Sequence, residues 1–174
     1  MDEIVDIVDE NDNLVGQELK SKCHANKILH RGAAILIFKD ESFKEILIQK
    51  RSLKKTVKPG KLSIPAGHLS LGENYFTGAK RELQEELFHK QKLPSRLKFE
   101  KLFKIKKFAD NDYEFNVVYR IIYPGPFFND PEEVEDSYFE DINETLSKVK
   151  KESREYTETT ILLLEEYKQR FIKK

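Results

Sequence analysis

Short runs of aliphatic residues, separated by polar turn-forming segments, dominate the first third of the chain. Three such runs span residues 3–8, 33–38 and 45–50, and Asp, Asn, Glu and Ser are concentrated between them. Apolar runs of this length with turn signals on both sides are typical of β-strands. The pattern therefore predicts three strands before residue 51.

Residues 113–123 alternate in hydropathy, with aromatic or aliphatic side chains at every odd position. Successive side chains of a strand point to opposite faces, so this alternation predicts a further strand. Residues 97–105 precede it and have a similar strand-like composition. Between the two segments, Asp110, Asn111 and Asp112 predict the turn of a β-hairpin.

Three segments, at 74–90, 141–151 and 157–172, show the spacing of amphipathic helices. The apolar stripe of the first contains Phe76, Ala79, Leu83 and Leu87, and that of the last contains Ile161, Leu164, Tyr167 and Phe171. Strands on both sides of a central helix, with two helices at the end, predict an α/β fold in which helices cover both faces of a mixed sheet. No repeat or linker-like segment interrupts residues 1–174, so we expect one domain.

Composition narrows the class of protein. The 31 basic and 31 acidic residues give a net charge of zero, which provides no general attraction to nucleic acids or anionic membranes. Cys23 is the only cysteine and cannot form an internal disulfide. The run 33–38 is far shorter than the ~20 residues of a membrane helix, and Asp2 and Glu3 replace the basic flank of a signal peptide. We expect a cytoplasmic protein without membrane association.

The most informative stretch combines glycine, arginine and glutamate at fixed spacing. It contains Gly67, then Glu73 six positions later, and the run Arg-Glu-Leu-Gln-Glu-Glu at 81–86. At 100° per residue, Glu82, Glu85 and Glu86 fall on one arc of the predicted helix. Like charges one turn apart destabilise a helix, and a divalent cation would compensate. Solvated surface glutamates are the competing interpretation.

This order and spacing resemble the Nudix box, Gly-x5-Glu-x7-Arg-Glu-apolar-x-Glu-Glu-x-Gly-apolar. The resemblance implies an α/β/α sandwich with a mixed sheet, and hydrolysis of a diphosphate linkage with Mg²⁺ or Mn²⁺ as cofactor. The metal ligands that it implies are Glu82, Glu85, Glu86 and Gly67. Glu73 and Arg81 would orient these carboxylates and complete the catalytic set, while Glu86 would contact the attacking water.

Two residues depart from the box: Phe88 stands in place of glycine, and His89 stands in place of an apolar residue. Glycine at the first of these positions normally ends the helix in a left-handed conformation. The departure therefore bears on the end of the helix. It does not bear on the metal site, because no implied ligand is changed.

Residues outside the box resemble the isopentenyl-diphosphate isomerase-like branch of the same superfamily, over roughly residues 1–145. They are His24, His30, Arg31, the segment 49–52, Lys55, Pro59, Gly60 and the segment 66–68. In isomerases the position of Ala66 is the catalytic cysteine, so we expect no isomerase activity. The isomerase metal site would map to His24, His30, His68 and Glu114, with Asn116 in place of a carboxylate. Hydrogen-bonded structural histidines are the alternative.

Charged loops complete the set of candidate sites. Arg51 and Lys55 are similar to diphosphate-contacting positions of that branch, and we assign them to substrate binding; a solvated lysine-rich loop is the alternative.

Residues 130–144 form an acidic segment that we expect to be a late loop. In this loop, Glu132 and Glu133 are either solvated or an additional catalytic or metal-binding pair. Residues 90–107 are strongly basic, which is commonest on an exposed strand face but would also suit an anionic partner.

These observations predict a metal-dependent Nudix hydrolase that cleaves a diphosphate linkage in a nucleoside diphosphate derivative or a related organic pyrophosphate. The alternative is a catalytically weak module of the same fold that binds a nucleotide or RNA. Three crowded carboxylates favour the enzyme, since a binding module has no physical need for them. The expected partner is a small-molecule diphosphate, the balanced charge argues against nucleic acid, and a homodimer stays open.

Overall fold

The computed structural model describes residues 2–109 and 112–172. In chain order its elements are β1 (Ile4–Val8), β2 (Leu14–Leu19), α1 (Lys20–Asn26), β3 (His30–Phe38), β4 (Glu45–Arg51), β5 (Leu62–Ser63), β6 (Ala66–His68), α2 (Tyr75–Leu87), β7 (Glu100–Ala109), β8 (Asp112–Ile122), β9 (Val134–Asp141), α3 (Ile142–Lys151), a 3₁₀ turn (Ser153–Glu155) and α4 (Glu158–Phe171). Across these two ranges, none of the helices has the length and apolar character needed to span a membrane.

The strands form one mixed sheet with β3 at its centre. β3 pairs in parallel with β8, and antiparallel with β1, β4 and β6. β4 also pairs with β5 and β9, while β7 and β8 pair antiparallel up to Ala109 and Asp112. The predicted mixed sheet and the strand pairing of the predicted hairpin are confirmed; the turn residues Asp110 and Asn111 lie outside the described residues.

The continuous apolar run of β3 is explained by helices on both faces of the sheet. Its even positions from Ala34 to Phe38 join a core with α3 and α4, and its odd positions from Ala33 to Ile37 join a second core with α2. All of these side chains are fully buried. The predicted α/β/α layering is therefore confirmed.

Helix α2 carries the glutamates and is fixed at its start by Asn74, whose side chain accepts a hydrogen bond from the Thr77 N–H at 2.9 Å. Leu83 and the other inner residues of the predicted stripe are buried. The placement of Phe76 in that stripe was wrong, because its side chain is 46 % exposed. It lies in the first turn, where its ring packs edge-on against Phe99 at the rim of the core.

Helix α2 ends normally although Phe88 stands at the position where the box has glycine. The helix ends at Leu87, and Phe88 continues into the core, where its ring packs against Tyr123 and Phe127. The positive φ of 30° falls one position later, on His89. The helix therefore ends where the box predicts, and the side chain in place of glycine adds to the core.

The segment that we expected to be an acidic loop is partly a strand. Residues 134–141 form β9, which pairs along β4 in antiparallel register. Its acidic residues are tolerated because, among the described strands, β9 has a partner on one side only and keeps much of its surface in solvent. At the far end of the chain, Phe171 was also misplaced: it is 42 % exposed, stacked on Tyr167 at the last turn of α4.

Candidate active site

A cavity of about 360 Å³ lies where α2, β5, β6 and the loop after β4 approach each other. A volume above about 300 Å³ is typical of small-molecule sites. Five of the residues predicted for metal or substrate line it: Arg51, Lys55, Gly67, Glu82 and Glu86. The remaining three predicted residues, Glu73, Arg81 and Glu85, do not line the cavity; Arg81 donates hydrogen bonds to Glu82, Glu73 and Glu85.

Glu82 reaches the cavity across Gly67. A Cβ atom at position 67 would lie 2.1 Å from Cδ of Glu82, a distance that two such atoms cannot adopt. Glycine at this position therefore allows the carboxylate to lie directly against the backbone of β6. Burial raises the pKa of Glu82, even though the nearby Arg81 guanidinium opposes the shift.

Glu86, one helical turn later, is only 4 % exposed. Its Oε2 accepts a hydrogen bond from Nε2 of Gln49 on β4 at 2.9 Å. Burial, together with the charge of Glu82, raises the pKa of Glu86 to about 8. Gln49 was not among the predicted site residues. A polar residue directly after the buried run from Ile46 to Ile48 was the signal that could have revealed it.

Arg81 connects the glutamates to the strand beside them. Its Nε donates to the two carboxylate oxygens of Glu73 at 3.0 and 3.2 Å, and its Nη2 donates to the carbonyl of His68 at 2.7 Å. Its Nη1 donates to Glu82 at 2.7 Å and to Glu85 at 2.9 Å. Burial alone would lower the pKa of Arg81, but these carboxylates outweigh it and raise that pKa, so the guanidinium stays charged.

Glu85 occupies a different environment from the other two glutamates of the arc. Its side chain is 53 % exposed, against 13 % for Glu82, and its carboxylate is directed to Arg81. As placed, the three glutamates do not form a cluster of ligand atoms within 4.8 Å of one another in the described part of the chain. The assignment of Glu85 to the metal stays a prediction that requires its side chain to move.

A second group of potential ligands lies at the same cavity. His24, His30 and His68 come from α1, β3 and β6, and one ring nitrogen of each lies within 4.8 Å of the others. The Nε2 atoms of His24 and His68 are 3.2 Å apart. Nδ1 of His30 is 2.9 Å from the carbonyl of Ile28, which can only accept, so Nδ1 carries the proton and the neutral ring has its lone pair on Nε2.

Strand β8 adds Glu114 and Asn116 to this histidine group. Oε2 of Glu114 is 3.8 Å from Nε2 of His68, and Nδ2 of Asn116 donates to Oε1 of Glu114 at 3.1 Å. Both side chains are buried, and the space beside Glu114 exists because Gly32 on β3 has no Cβ, which would lie 2.4 Å from Oε2. Imidazole nitrogens with one carboxylate are typical ligands of zinc and similar transition metals.

The cationic side of the cavity is tied to the late acidic segment. Nη2 of Arg51 donates to the carbonyl of Val57 at 3.1 Å, and Nε of Arg51 is buried with no hydrogen-bond partner among the residues described. Lys55 forms an ion pair with Glu133, which also lines the cavity. Glu132, by contrast, forms its ion pair with Lys54 at the exposed surface.

Buried polar atoms without partners concentrate around this one cavity. Besides Nε of Arg51, they include Oε1 of Gln49, Oγ of Ser63 and Oδ1 of Asn116, in the ranges that the structure describes. Ser63 and Asn116 line the cavity, and Gln49 contacts Glu86, which does so as well. Proteins pair nearly all of their buried polar groups, so this concentration is typical of a ligand site.

Known proteins share both the sequence and the fold. The NUDIX domain family matches residues 28–160. An uncharacterized Nudix hydrolase of Yersinia pestis is 40 % identical over 86 residues. The matched region covers 49 % of this chain and 46 % of that relative, so the chain spans about half of the relative's length. An isopentenyl-diphosphate Δ-isomerase of Serratia proteamaculans is 28 % identical over 159 residues, covering 90 % of this chain and 87 % of the isomerase.

Among solved structures, that of DR0079 from Deinococcus radiodurans superimposes with a TM-score of 0.78. The superposition covers 94 % of this chain and 98 % of DR0079, at 20 % sequence identity, a level that supports similarity of fold alone. The family match extends over most of the chain and includes α2, which carries Glu82, Glu85 and Glu86. The chain belongs to the Nudix family.

Proposed function

We propose that this protein is a metal-dependent hydrolase that cleaves a diphosphate linkage in a nucleoside diphosphate derivative or a related organic pyrophosphate. The observation that carries the proposal is that one cavity combines the carboxylates of Glu86, which is buried, and Glu82, which is 13 % exposed, with the cationic side chains of Arg51 and Lys55. The carboxylates are suited to a divalent cation, and the cationic groups are suited to a diphosphate.

The carboxylate pair fits Mg²⁺ or Mn²⁺. Two buried like charges one turn apart repel each other, and Gln49 offers Glu86 only a neutral hydrogen bond. Glu82, Glu86 and the carbonyl of Gly67 would hold the ion, and Glu85 would join them by turning away from Arg81. When bound, the ion would neutralise phosphate oxygens and lower the pKa of a bound water.

The side chains at the cavity would then have two roles, substrate binding and proton transfer. Arg51 and Lys55 would hold the diphosphate, and Lys55 would exchange its contact with Glu133 for one with phosphate oxygens. Glu86 would accept a proton from water as the water oxygen bonds to phosphorus. The bridging P–O bond breaks, and the released phosphate group takes its electron pair. Glu86 is the candidate for this base because its carboxylate lines the same cavity as the cationic side chains that would hold the diphosphate.

The test measures hydrolysis of a panel of nucleoside diphosphate derivatives with Mg²⁺ or Mn²⁺. Glu86→Gln keeps the size and removes the charge, and should lower kcat by about 100-fold or more. Glu165→Gln, at an exposed position of α4, is the control and should leave turnover unchanged. Equal turnover by the Glu86→Gln and wild-type proteins would reject the catalytic role, and binding without hydrolysis in wild type would favour the binding module.

The histidine group supports a second proposal, a separate metal site at His24, His30 and His68. Three imidazole nitrogens within 4.8 Å of one another are the observation in its favour. Isomerase activity is not proposed with it, because Ala66 has no proton to transfer to or from carbon. Detectable conversion of isopentenyl diphosphate by the pure protein would show that another group supplies that proton.

A further inference from the structure

The cavity extends past the residues assigned to metal and diphosphate, and hydroxyl side chains are frequent on this additional wall. They come from the lysine loop (residues 52–61), from β5 and from the start of α4. We call them the hydroxyl wall: Thr56, Ser63, Thr157, Thr159 and Thr160. The wall lies outside the Nudix box, and neither the metal ligands nor the diphosphate contacts account for it.

Two members of the wall hold it in place. Oγ1 of Thr157 donates to Oγ1 of Thr160 at 2.9 Å, and Thr160 accepts the backbone N–H of Ile64 at 3.0 Å. Oγ1 of Thr157 also accepts the Thr160 N–H at 3.3 Å, which caps α4, and the bond from Ile64 attaches the first turn of α4 to the chain leaving β5. Because the hydroxyls of Thr157 and Thr160 are used in this way and Thr56 is exposed to solvent, Ser63 and Thr159 are the members whose hydroxyls are best placed for a ligand.

The hydroxyl of Ser63 makes no hydrogen bond that would stabilise the fold in the described part of the chain. Ser63 is only 3 % exposed. Ser63 pairs in register with Gln49 on β4, so the two side chains lie on the same face, the one from which Gln49 contacts Glu86. A serine hydroxyl moves between staggered positions by rotation about one bond, so a ligand in the cavity can be its partner.

The side chains at the start of α4 indicate the kind of group that fits there. Thr159 lies in the first turn of α4, where helix N–H groups carry partial positive charge. Glu158 in the same turn forms an ion pair with Lys58 of the lysine loop, so charged side chains of both signs lie beside Thr159. The hydroxyls of Ser63 and Thr159 can each donate a hydrogen bond and accept one, so a group with several hydrogen-bonding atoms suits this end of the cavity.

We propose that the hydroxyl wall receives the organic group attached to the diphosphate, and that Ser63 and Thr159 select a hydroxyl-bearing group, such as a sugar, over a hydrocarbon chain. This inference rests on the proposed function, which places the diphosphate at Arg51 and Lys55. A hydrocarbon chain would cover Ser63 and leave its hydroxyl without a partner, whereas sugar hydroxyls would pair with it. Sites that hydrogen-bond substrate hydroxyls discriminate strongly against analogues that lack them.

The test is a binding measurement that does not depend on turnover. Calorimetric titration with Mg²⁺ present would use adenosine 5′-(α,β-methylene)diphosphate, geranyl methylenediphosphonate and methylenediphosphonate itself, whose bridging carbon prevents hydrolysis. Wild type should bind the adenosine analogue at least about tenfold more tightly than the geranyl analogue. Ser63→Ala and Thr159→Val should each remove most of that difference and leave the affinity for methylenediphosphonate unchanged. Ser147→Ala, at an exposed position of α3, is the control.

The outcomes separate this inference from the proposed function. Ser63→Ala removes a hydroxyl without a partner, so its melting temperature should equal or exceed that of wild type, and a loss of affinity could not be attributed to unfolding. Equal affinity for the two analogues, or unchanged selectivity in both variants, would overturn the hydroxyl wall while the diphosphate site stands. If methylenediphosphonate also fails to bind, the diphosphate site itself is wrong, and both proposals fail together.

Discussion

The side-chain amide of Gln49 donates a hydrogen bond to Oε2 of Glu86 at 2.9 Å, and both side chains are almost completely buried. The contact joins the centre of β4 to the inner face of α2. Because the Gln49 side chain is neutral, it orients the Glu86 carboxylate without forming an ion pair with it. We infer that Gln49 positions Glu86 for proton transfer and for the metal.

The first prediction concerns this contact. Gln49→Leu keeps a similar volume but removes the donor, so Glu86 should lose its fixed orientation and kcat should fall by about tenfold or more. Gln49→Glu should fall further, because it places a third carboxylate beside Glu82 and Glu86. Steady-state kinetics and Mn²⁺ titration measure both effects, with exposed Gln169→Leu as the control. Wild-type kinetics in Gln49→Leu would show that packing alone orients Glu86.

The second prediction follows from the protonation of Glu86 in metal-free protein. Burial and the Glu82 charge raise the pKa of Glu86 to about 8, above the ordinary value of 4.5 that applies to the unfolded chain. Between these values the folded protein holds a proton that the unfolded chain releases. The free energy of unfolding should therefore fall as pH rises, by at most about 1.4 kcal/mol per pH unit from this group.

Thermal melts in a chelating buffer between pH 5 and pH 8 measure this slope. Glu86→Gln cannot titrate, so its melting temperature should fall less over the same range. Added Mg²⁺ should reduce the slope in wild type, because binding requires the deprotonated carboxylate and becomes more favourable at higher pH. Identical slopes for wild type and Glu86→Gln would contradict a raised pKa at this position.

The third prediction tests the approach of Glu82 to the backbone. A Cβ at position 67 would lie 2.1 Å from Cδ of Glu82, so Gly67→Ala must displace the carboxylate that faces the cavity. Metal affinity should fall by about tenfold or more, as measured by Mn²⁺ titration. Gly16→Ala is the matched control, since the nearest atom to its Cβ is at an ordinary 3.4 Å. Equal losses in both variants would indicate general destabilisation.

The fourth prediction concerns the histidine group. His24, His30 and His68 should bind one Co²⁺ or Zn²⁺ per chain, because three imidazole nitrogens lie within 4.8 Å. His24→Ala should lower that affinity by about tenfold or more, as followed by the visible absorption of bound Co²⁺. His89→Ala is the control, because His89 is paired with Asp130 at the end of α2. Loss of binding in His89→Ala alone would place the site elsewhere.

These residues also show what the sequence could and could not predict. Glu82 and Glu86 were found because their spacing on one helix is fixed by the helical repeat, and the apolar run of β3 indicated a sheet covered on both faces. Ser63 was missed because its place at the cavity depends on the register of β4 with β5, which no local pattern specifies, and Gln49 was missed because its partner Glu86 comes from a helix remote in sequence. The helical repeat placed Glu85 on the same arc, yet its exposure depends on the contact with Arg81.

The last prediction concerns Arg51, which ends β4 and lines the cavity. Its Nη2 is bonded to the carbonyl of Val57, but its Nε is buried with no partner among the described residues. If substrate phosphate is the missing partner, Arg51→Ala should lower kcat/KM by about tenfold or more, since a charged hydrogen bond contributes about 1.5–3 kcal/mol. Arg51→Lys should recover only part of this, because an ammonium cannot form two parallel bonds.

Kinetics of the folded variant separate this role from a structural one. Arg51→Ala removes the bond to Val57 whatever the role of Arg51, so some fall in melting temperature is expected, whereas only loss of a phosphate contact would also lower kcat/KM at a temperature where the variant is folded. Arg154→Ala, in the exposed 3₁₀ turn, controls for the removal of one positive charge from the surface. If Arg51→Ala and Arg51→Lys both show wild-type kinetics, Arg51 only anchors the loop. The diphosphate would then have to be held by Lys55 and the metal ligands without it.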